Sequence, residues 1–271
     1  MRGFDLHVHS TASDGLWTVG KIIKTAKGMG LEGLAITDHD TTAGLDEALR
    51  LAEEFNFPLI PGVELSAEWQ DLDIHILGYW LDHRQPRLLA RLLQLQEARR
   101  ERCRQIGARL ASLGMPIDVD GLLAAAGDSI GRPHIAYAMV NKSYCLSVTD
   151  AFRRHIGRGM PAYVPREKFS PYEAVEMVLA AGGVAVLAHP GLTFPDDLLY
   201  DLIKLGLGGI EIYHPEHTPG QERKYLKIAG EYGLAYTGGS DFHGRGDRSL
   251  GQRVTYQYQL EVLKQKIITS H

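Results

Sequence analysis

The chain has 271 residues, 44% of them hydrophobic and 23% charged, a balance that provides ample apolar material for a core and excludes a disordered or fibrous chain. A formal net charge of −4 argues against wholesale electrostatic capture of nucleic acid, although a local basic patch can still hold a polyanion. Two cysteines are too few for a disulfide framework or a cysteine-ligated zinc site, and no apolar run approaches the roughly 20 residues that span a bilayer. The first residues run straight into Phe4-Asp5-Leu6 without a signal-peptide core. The expected setting is therefore the cytoplasm, with Cys103 and Cys145 reduced and no obligate protein partner in view.

Short runs rich in β-branched residues alternate with helical patterns along the chain. A first strand, FDLHVHS, precedes a helix from Val19 to Met29, and GLAITDHD precedes a helix from Gly44 to Phe55. Two further strands follow, FPLIPGVELSA and DIHILGYW. From residue 84 to residue 165 the alternation stops, and only helical stretches are found, so this segment reads as an inserted helical subdomain. Its first helix, Arg84 to Leu113, carries an apolar stripe through Leu88, Leu92, Leu95, Ile106, Leu110 and Leu113. The other face holds Arg84, Arg87, Arg91, Arg99, Arg100, Arg102, Arg104 and Arg109. Two readings of it stand, a solvated face and a cap that meets a polyanion. Alternation resumes with a helix from Pro171 to Ala181, then GVAVLAHPG, a helix from Asp196 to Leu205, GIEIYHP, a helix from Pro219 to Tyr232, and LAYTGGSDFHG. Ser170-Pro171 with Glu173, and Thr218-Pro219 with Gln221, mark two helix starts. Strands alternating with helices predict parallel βα units, with residues 1–83 and 166–271 forming a barrel around the insertion 84–165.

Twelve histidines are many, and their placement points to chemistry. In His7-Val8-His9 two imidazoles two residues apart on a strand project to one face and can grip one ion. Asp14 follows in a Ser-Asp-Gly loop, Asp38-His39-Asp40 ends the second strand, and Glu64 and His75 fall in the next two. His189 ends the fifth strand and Asp241-Phe242-His243 the last. Ligand-type residues thus recur at strand ends, where parallel barrels build their sites, although Asp14, Glu64 and Asp241 could each serve instead as turn or capping residues. A histidine and carboxylate set without thiolate suits zinc, manganese or iron(II). Nine donors exceed one tetrahedral shell, and clustered divalent ions suit displacement at phosphorus because they activate water and neutralise developing oxygen charge.

The ordered motifs HVHS, TDHD, LAHPG and GGSDFHG resemble those of the PHP (polymerase and histidinol phosphatase) phosphoesterases, over Phe4 to about Gly251. Through HSTASDG, GVELSA, HILGY, GRPHIA, AHPG and SDFHG the chain is most similar to the branch containing ribonuclease AM and nucleoside 3′,5′-bisphosphate phosphatases. The resemblance implies an α/β fold, a distorted seven-stranded β/α barrel of the metallo-dependent-hydrolase type with an inserted helical subdomain, and two or three divalent ions, manganese first, with zinc or iron(II) as alternatives. Carried across, His7, His9, Glu64 and Asp241 would hold one ion, Glu64 would bridge to a second held by His75 and His189, and Asp14, His39 and His243 would hold a third. Some members have histidine where this chain has Asp14, which leaves that third position the least defined. Arg132, His134 and His217 resemble substrate contacts, although His134 reads equally as a hydrogen-bonded core histidine. Asp38, His39, His189 and Asp241 form the expected catalytic set, with Asp38 orienting the nucleophile or assisting proton transfer. The implied reaction is attack of a metal-activated hydroxide on the phosphorus of a nucleoside 3′,5′-bisphosphate or the 5′ end of a short RNA. Histidinol phosphate is an alternative substrate, and a non-catalytic metal- or nucleic-acid-binding module a rival of another class.

Overall fold

The computed structural model describes residues 3–125, 130–192, 195–246 and 248–268. Seven strands form one sheet in sequential order: β1 (Phe4–Asp5), β2 (Gly33–Ile36), β3 (Leu59–Trp69), β4 (Leu72–Tyr79), β5 (Val184–Leu187), β6 (Gly209–Tyr213) and β7 (Ala235–Gly238). The sheet curls until its edges meet. Leu6 N–H reaches the Gly238 carbonyl at 3.4 Å, His9 N–H donates to the Phe242 carbonyl at 2.9 Å, and Val8 bridges Phe242 in parallel. Leu6, Ala35, Ile60, Leu77, Val186 and Ala235, drawn from or beside six strands, pack into one buried cluster that fills the interior. Leu260 and Leu263 of α10 (Gln257–Ile268) join it.

Helices α1 (Val19–Gly28), α2 (Leu45–Glu54), α7 (Pro171–Ala180), α8 (Asp196–Leu205) and α9 (Pro219–Tyr232) connect the strands close to their expected positions. Ser170 and Thr218 each accept from the backbone N–H three residues on, and Glu173 and Gln221 reach back, so both expected capping boxes form. The expectation of parallel pairing fails at one strand. β4 runs antiparallel to both β3 and β5, because only Gln70 and Asp71 separate it from β3. A two-residue connection is too short for a crossover and allows only a hairpin. Gln70 and Asp71 both adopt positive φ, 44° and 71°, as a hairpin turn matched to strand twist requires.

Between β4 and β5 lie α3 (Pro86–Ser112), α4 (Val119–Ala125), α5 (Arg132–Asn141), α6 (Val148–Ala151) and a π-helical turn, Phe152–Ile156. Helix α3 spans about 40 Å at 1.5 Å per residue and serves two cores. Leu88, Leu92 and Leu95 pack with Val63, Leu65 and Ile76 of the barrel, whereas Cys103, Ile106 and Leu110 pack with Ile135, Met139, Ile156 and Val164 in a separate cluster. Leu113, expected in the same stripe, is instead 45% exposed, since it lies at the helix C-cap, beyond the packed turns. Among the described residues no helix is long and apolar enough to cross a membrane.

Candidate metal centre

The residues after β1 continue its alternation. Val8 turns outward into the cluster under α1 and α2, so His7 and His9 turn inward, and both are fully buried. His39 follows β2 and bridges Glu64 of β3 in parallel. His75 is not at a strand C-terminus, yet it reaches the same end of the barrel because β4 runs backwards, opposite Ser66 and with its carbonyl on Ala188 N–H. His189 follows β5 with φ 27°, and Asp241 follows β7 with φ 51°. Side chains at such φ are held there by surrounding structure, a recurrent feature of functional sites.

Among the described residues three overlapping donor groups result: His7, His9, Glu64 and Asp241; His9, Asp14, His39 and His243; and His39, Glu64 and His75. Glu64 is their junction. Its Oε2 lies 3.2 Å from both His7 Nε2 and His9 Nε2, and 3.1 Å from His39 Nδ1, while its Oε1 meets His75 Nδ1 at 2.8 Å and His189 Nε2 at 3.1 Å. Asp241 Oδ1 sits 3.2 Å from His9 Nε2, and Asp14 Oδ1 sits 3.2 Å from His243 Nε2. Despite this crowding, His7 Nε2, both His9 ring nitrogens, Asp14 Oδ1 and Glu64 Oε2 are buried without a hydrogen-bond partner. Buried polar atoms without partners cost roughly 1–3 kcal/mol each. Lone pairs converging from imidazole and carboxylate fit divalent ions of the zinc, manganese or iron(II) type.

Charge follows the same geometry. Burial alone would raise the Glu64 carboxyl, but His39, His7 and His75 around it hold it well below the usual carboxylate range. Burial would lower His7, yet Glu211 and Glu64 outweigh it and raise its pKa to about 10. Burial lowers His39, His189 and His243, which favours the neutral form a metal requires.

Two of the expected site residues are hydrogen-bonded within the scaffold. Asp38 directs its carboxylate away from the donor cluster: Oδ1 accepts from Ser10 N–H at 2.7 Å and Oδ2 from Ser10 Oγ–H at 2.6 Å, with Ser13 Oγ–H also on Oδ1. It anchors the loop that delivers Asp14. His217 is buried with both ring nitrogens engaged, Nδ1–H on the Ile212 carbonyl at 2.8 Å and Nε2 accepting from Gly191 N–H at 3.0 Å. It braces the turn after His189 and does not present a donor to a pocket. In His134, Nδ1 accepts from Gly131 N–H at 3.1 Å, which places the ring proton on Nε2.

Beside the donors lies a cavity of about 170 Å3, lined by His39, His75 and four arginines, Arg99, Arg102, Arg132 and Arg166. Arg99 pairs with Asp40, and Arg132 and Arg166 share Asp73, each at 2.9 Å. Arg102 donates Nε–H to the Val164 carbonyl and makes no ion pair among the described residues. Burial and the neighbouring Arg132 and Arg166 lower its pKa to about 9. The arginine-rich face of α3 is thus split: Arg99 and Arg102 enter the cavity, whereas Arg104 stays beside Glu101; Arg84, expected on the same helix, precedes it and lies on the surface with Asp46. Glu211, Asp5, Arg166 and Arg248, the last paired with Asp241 and Glu216, are not among the residues expected from the sequence. Glu211 and Asp5 had a legible signal, an acidic residue set between apolar neighbours in strands GIEIY and FDL. Arg166 and Arg248 had none.

The PHP domain model matches residues 5–241. The chain is 36% identical over 260 residues to a 3′,5′-nucleoside bisphosphate phosphatase of Chromobacterium violaceum, covering 93% of this chain and 91% of that protein. It is 38% identical over 246 residues to a 5′-3′ exoribonuclease of Haemophilus influenzae, covering 89% of each. Among solved structures, a protein of Bifidobacterium adolescentis described as a metal-dependent phosphoesterase superposes with a TM-score of 0.90 at 35% identity, over 98% of this chain and 96% of that one.

Proposed function

The chain belongs to the PHP-domain family of metal-dependent phosphoesterases, and from that premise we propose that it hydrolyses phosphomonoesters of nucleotides, with nucleoside 3′,5′-bisphosphates or the 5′ ends of short RNA as substrates. The observation that carries this reading is the arginine cavity abutting the donor cluster. Four guanidinium groups meet two partner carboxylates there, Asp40 and Asp73, and with Asp14, which also lines the cavity, assigned to a metal position, two positive charges are left in excess. That excess matches a phosphate dianion, and a guanidinium fork suits its oxygens. A substrate with two phosphates would place one on the arginines and the other over the donors. Residues 84–165 then act as a cap that supplies Arg99, Arg102 and Arg132, with His134 Nε2–H as a further donor.

On this reading His7, His9, Glu64 and Asp241 would hold one divalent ion, Glu64 with His75 and His189 a second, and Asp14, His39 and His243 a third. Manganese is the first choice, with zinc or iron(II) as alternatives. Such ions, when bound, supply Lewis acidity at phosphoryl oxygens and activate water. The arginines position the substrate, and binding energy from the remote phosphate then raises turnover at the reacting one. The test is phosphate release from adenosine 3′,5′-bisphosphate, AMP, a short 5′-phosphorylated RNA and histidinol phosphate, each with manganese, zinc or iron(II). Higher kcat/KM for the bisphosphate or the RNA is expected. A preference for histidinol phosphate would overturn the nucleotide assignment, and no release from any substrate would overturn catalysis.

A further inference from the structure

We infer that Glu211, which is not among the proposed ligands, is a positioning residue that orients one ligand of each of two neighbouring metal positions, and that its loss lowers metal affinity at both. Glu211 lies on β6, between Ile210 and Ile212, and its side chain is fully buried. Its Oε1 and Oε2 sit 3.0 and 3.2 Å from His7 Nδ1. A carboxylate only accepts, so Nδ1 donates its proton to Glu211, which leaves Nε2, turned toward Glu64 and Asp241, as the ring nitrogen that a bound ion would take. The same Oε2 accepts the backbone N–H of His189 at 2.9 Å. That contact secures His189 in its positive-φ conformation, from which Nε2 reaches Glu64 Oε1 at 3.1 Å.

One carboxylate thus fixes a tautomer on the chain after β1 and a backbone direction on the chain after β5. Carboxylate partners of ligating histidines fix ring orientation, and their loss typically weakens metal binding by about 10–100-fold. The inference rests on the proposed ligand set, but its test separates the two.

Apo protein would be titrated with Mn2+ by calorimetry for wild type, Glu211→Gln, Glu211→Ala and His7→Ala, with cobalt(II) absorption spectra as a second readout. Glutamine retains one oxygen where Oε2 stands, able to accept from both His7 and His189, but lacks the charge. Expected are a loss of about 10–100-fold for Glu211→Ala at more than one ion, an intermediate loss for Glu211→Gln, and an altered cobalt spectrum in the alanine variant. Wild-type affinity and spectrum in Glu211→Ala would overturn the inference, as would losses in both variants that merely track a lowered Tm of the apo protein. Wild-type binding in His7→Ala would instead overturn the ligand set, whatever Glu211 does.

Discussion

Replacing Arg132 by alanine separates a specific second-phosphate site from general electrostatic attraction. The guanidinium is 15% exposed, donates to Asp73 at 2.9 Å and lies in a cavity that also holds Arg99, Arg102 and Arg166. Two unit charges 4 Å apart interact by about 4 kcal/mol at an effective dielectric constant of 20. Asp73 already draws on that charge, and it keeps Arg166 at 2.9 Å after the substitution, so part of the interaction is lost to competition. The expected cost for adenosine 3′,5′-bisphosphate is about 2–4 kcal/mol, or roughly 30- to 1,000-fold in kcat/KM. For AMP, whose single phosphate occupies the donor cluster, the loss should stay below about threefold, since AMP brings no second phosphate for Arg132 to hold. The assay is a two-by-two comparison of wild type and Arg132→Ala on both substrates at saturating manganese, with kcat and KM resolved. Equal losses on the two substrates would refute the reasoning and place Arg132 at the reacting phosphate or in the fold. Absence of a wild-type preference for the bisphosphate would refute it at an earlier step.

Elemental analysis after manganese loading should give more than one ion per chain, because the donors form three groups that share Glu64, His9 and His39; one ion or none would contradict this. His9→Ala or Asp241→Ala should abolish hydrolysis while leaving the far-ultraviolet circular dichroism unchanged, and near-normal turnover would remove that residue from the centre. Asp5→Ala should cost about 3–5 kcal/mol in urea unfolding, because the carboxylate accepts from Ser240 N–H at 2.9 Å, Ser240 Oγ–H at 2.6 Å and Gly251 N–H at 2.7 Å, and truncation strands those buried donors. A loss below about 1 kcal/mol would mean that water replaces it. Burial raises the thiol of Cys103 to about 11 and that of Cys145 above its usual value, so less thiolate is present at pH 8 and neither should react with a disulfide reagent before unfolding. Rapid modification of the native protein would contradict the buried positions of both.

The local sequence determined a good deal of this protein. Short β-branched apolar runs and period-3.6 patterns located seven strands and the flanking helices, since a strand covered on both faces is apolar throughout and a helix is apolar along one stripe. Ser170 and Thr218 were legible as helix starts because a cap and its N3 partner lie three residues apart. His7 and His9 were legible because alternation on a strand fixes their common face. The tertiary structure decided the rest, in each case through partners distant in the chain. His75 faces the centre because β4 pairs antiparallel on both sides, a property of the hairpin at Gln70-Asp71 that no ligand motif encodes. Asp38 has the residue type and position of a catalytic acid, but Ser10 and Ser13 are folded against it and take its oxygens. Glu211 acquires its role from His7, 204 positions away, and from His189. The arginines of α3 are equivalent on an isolated helix, and folding separates them: Asp40 and Ser66 receive Arg99, and the carbonyl of Val164, in the cluster that α3 shares with Ile135 and Met139, receives Arg102. Which of them meets solvent and which lines the cavity depends on packing around two separate cores, and a pattern local to one helix carries no record of it.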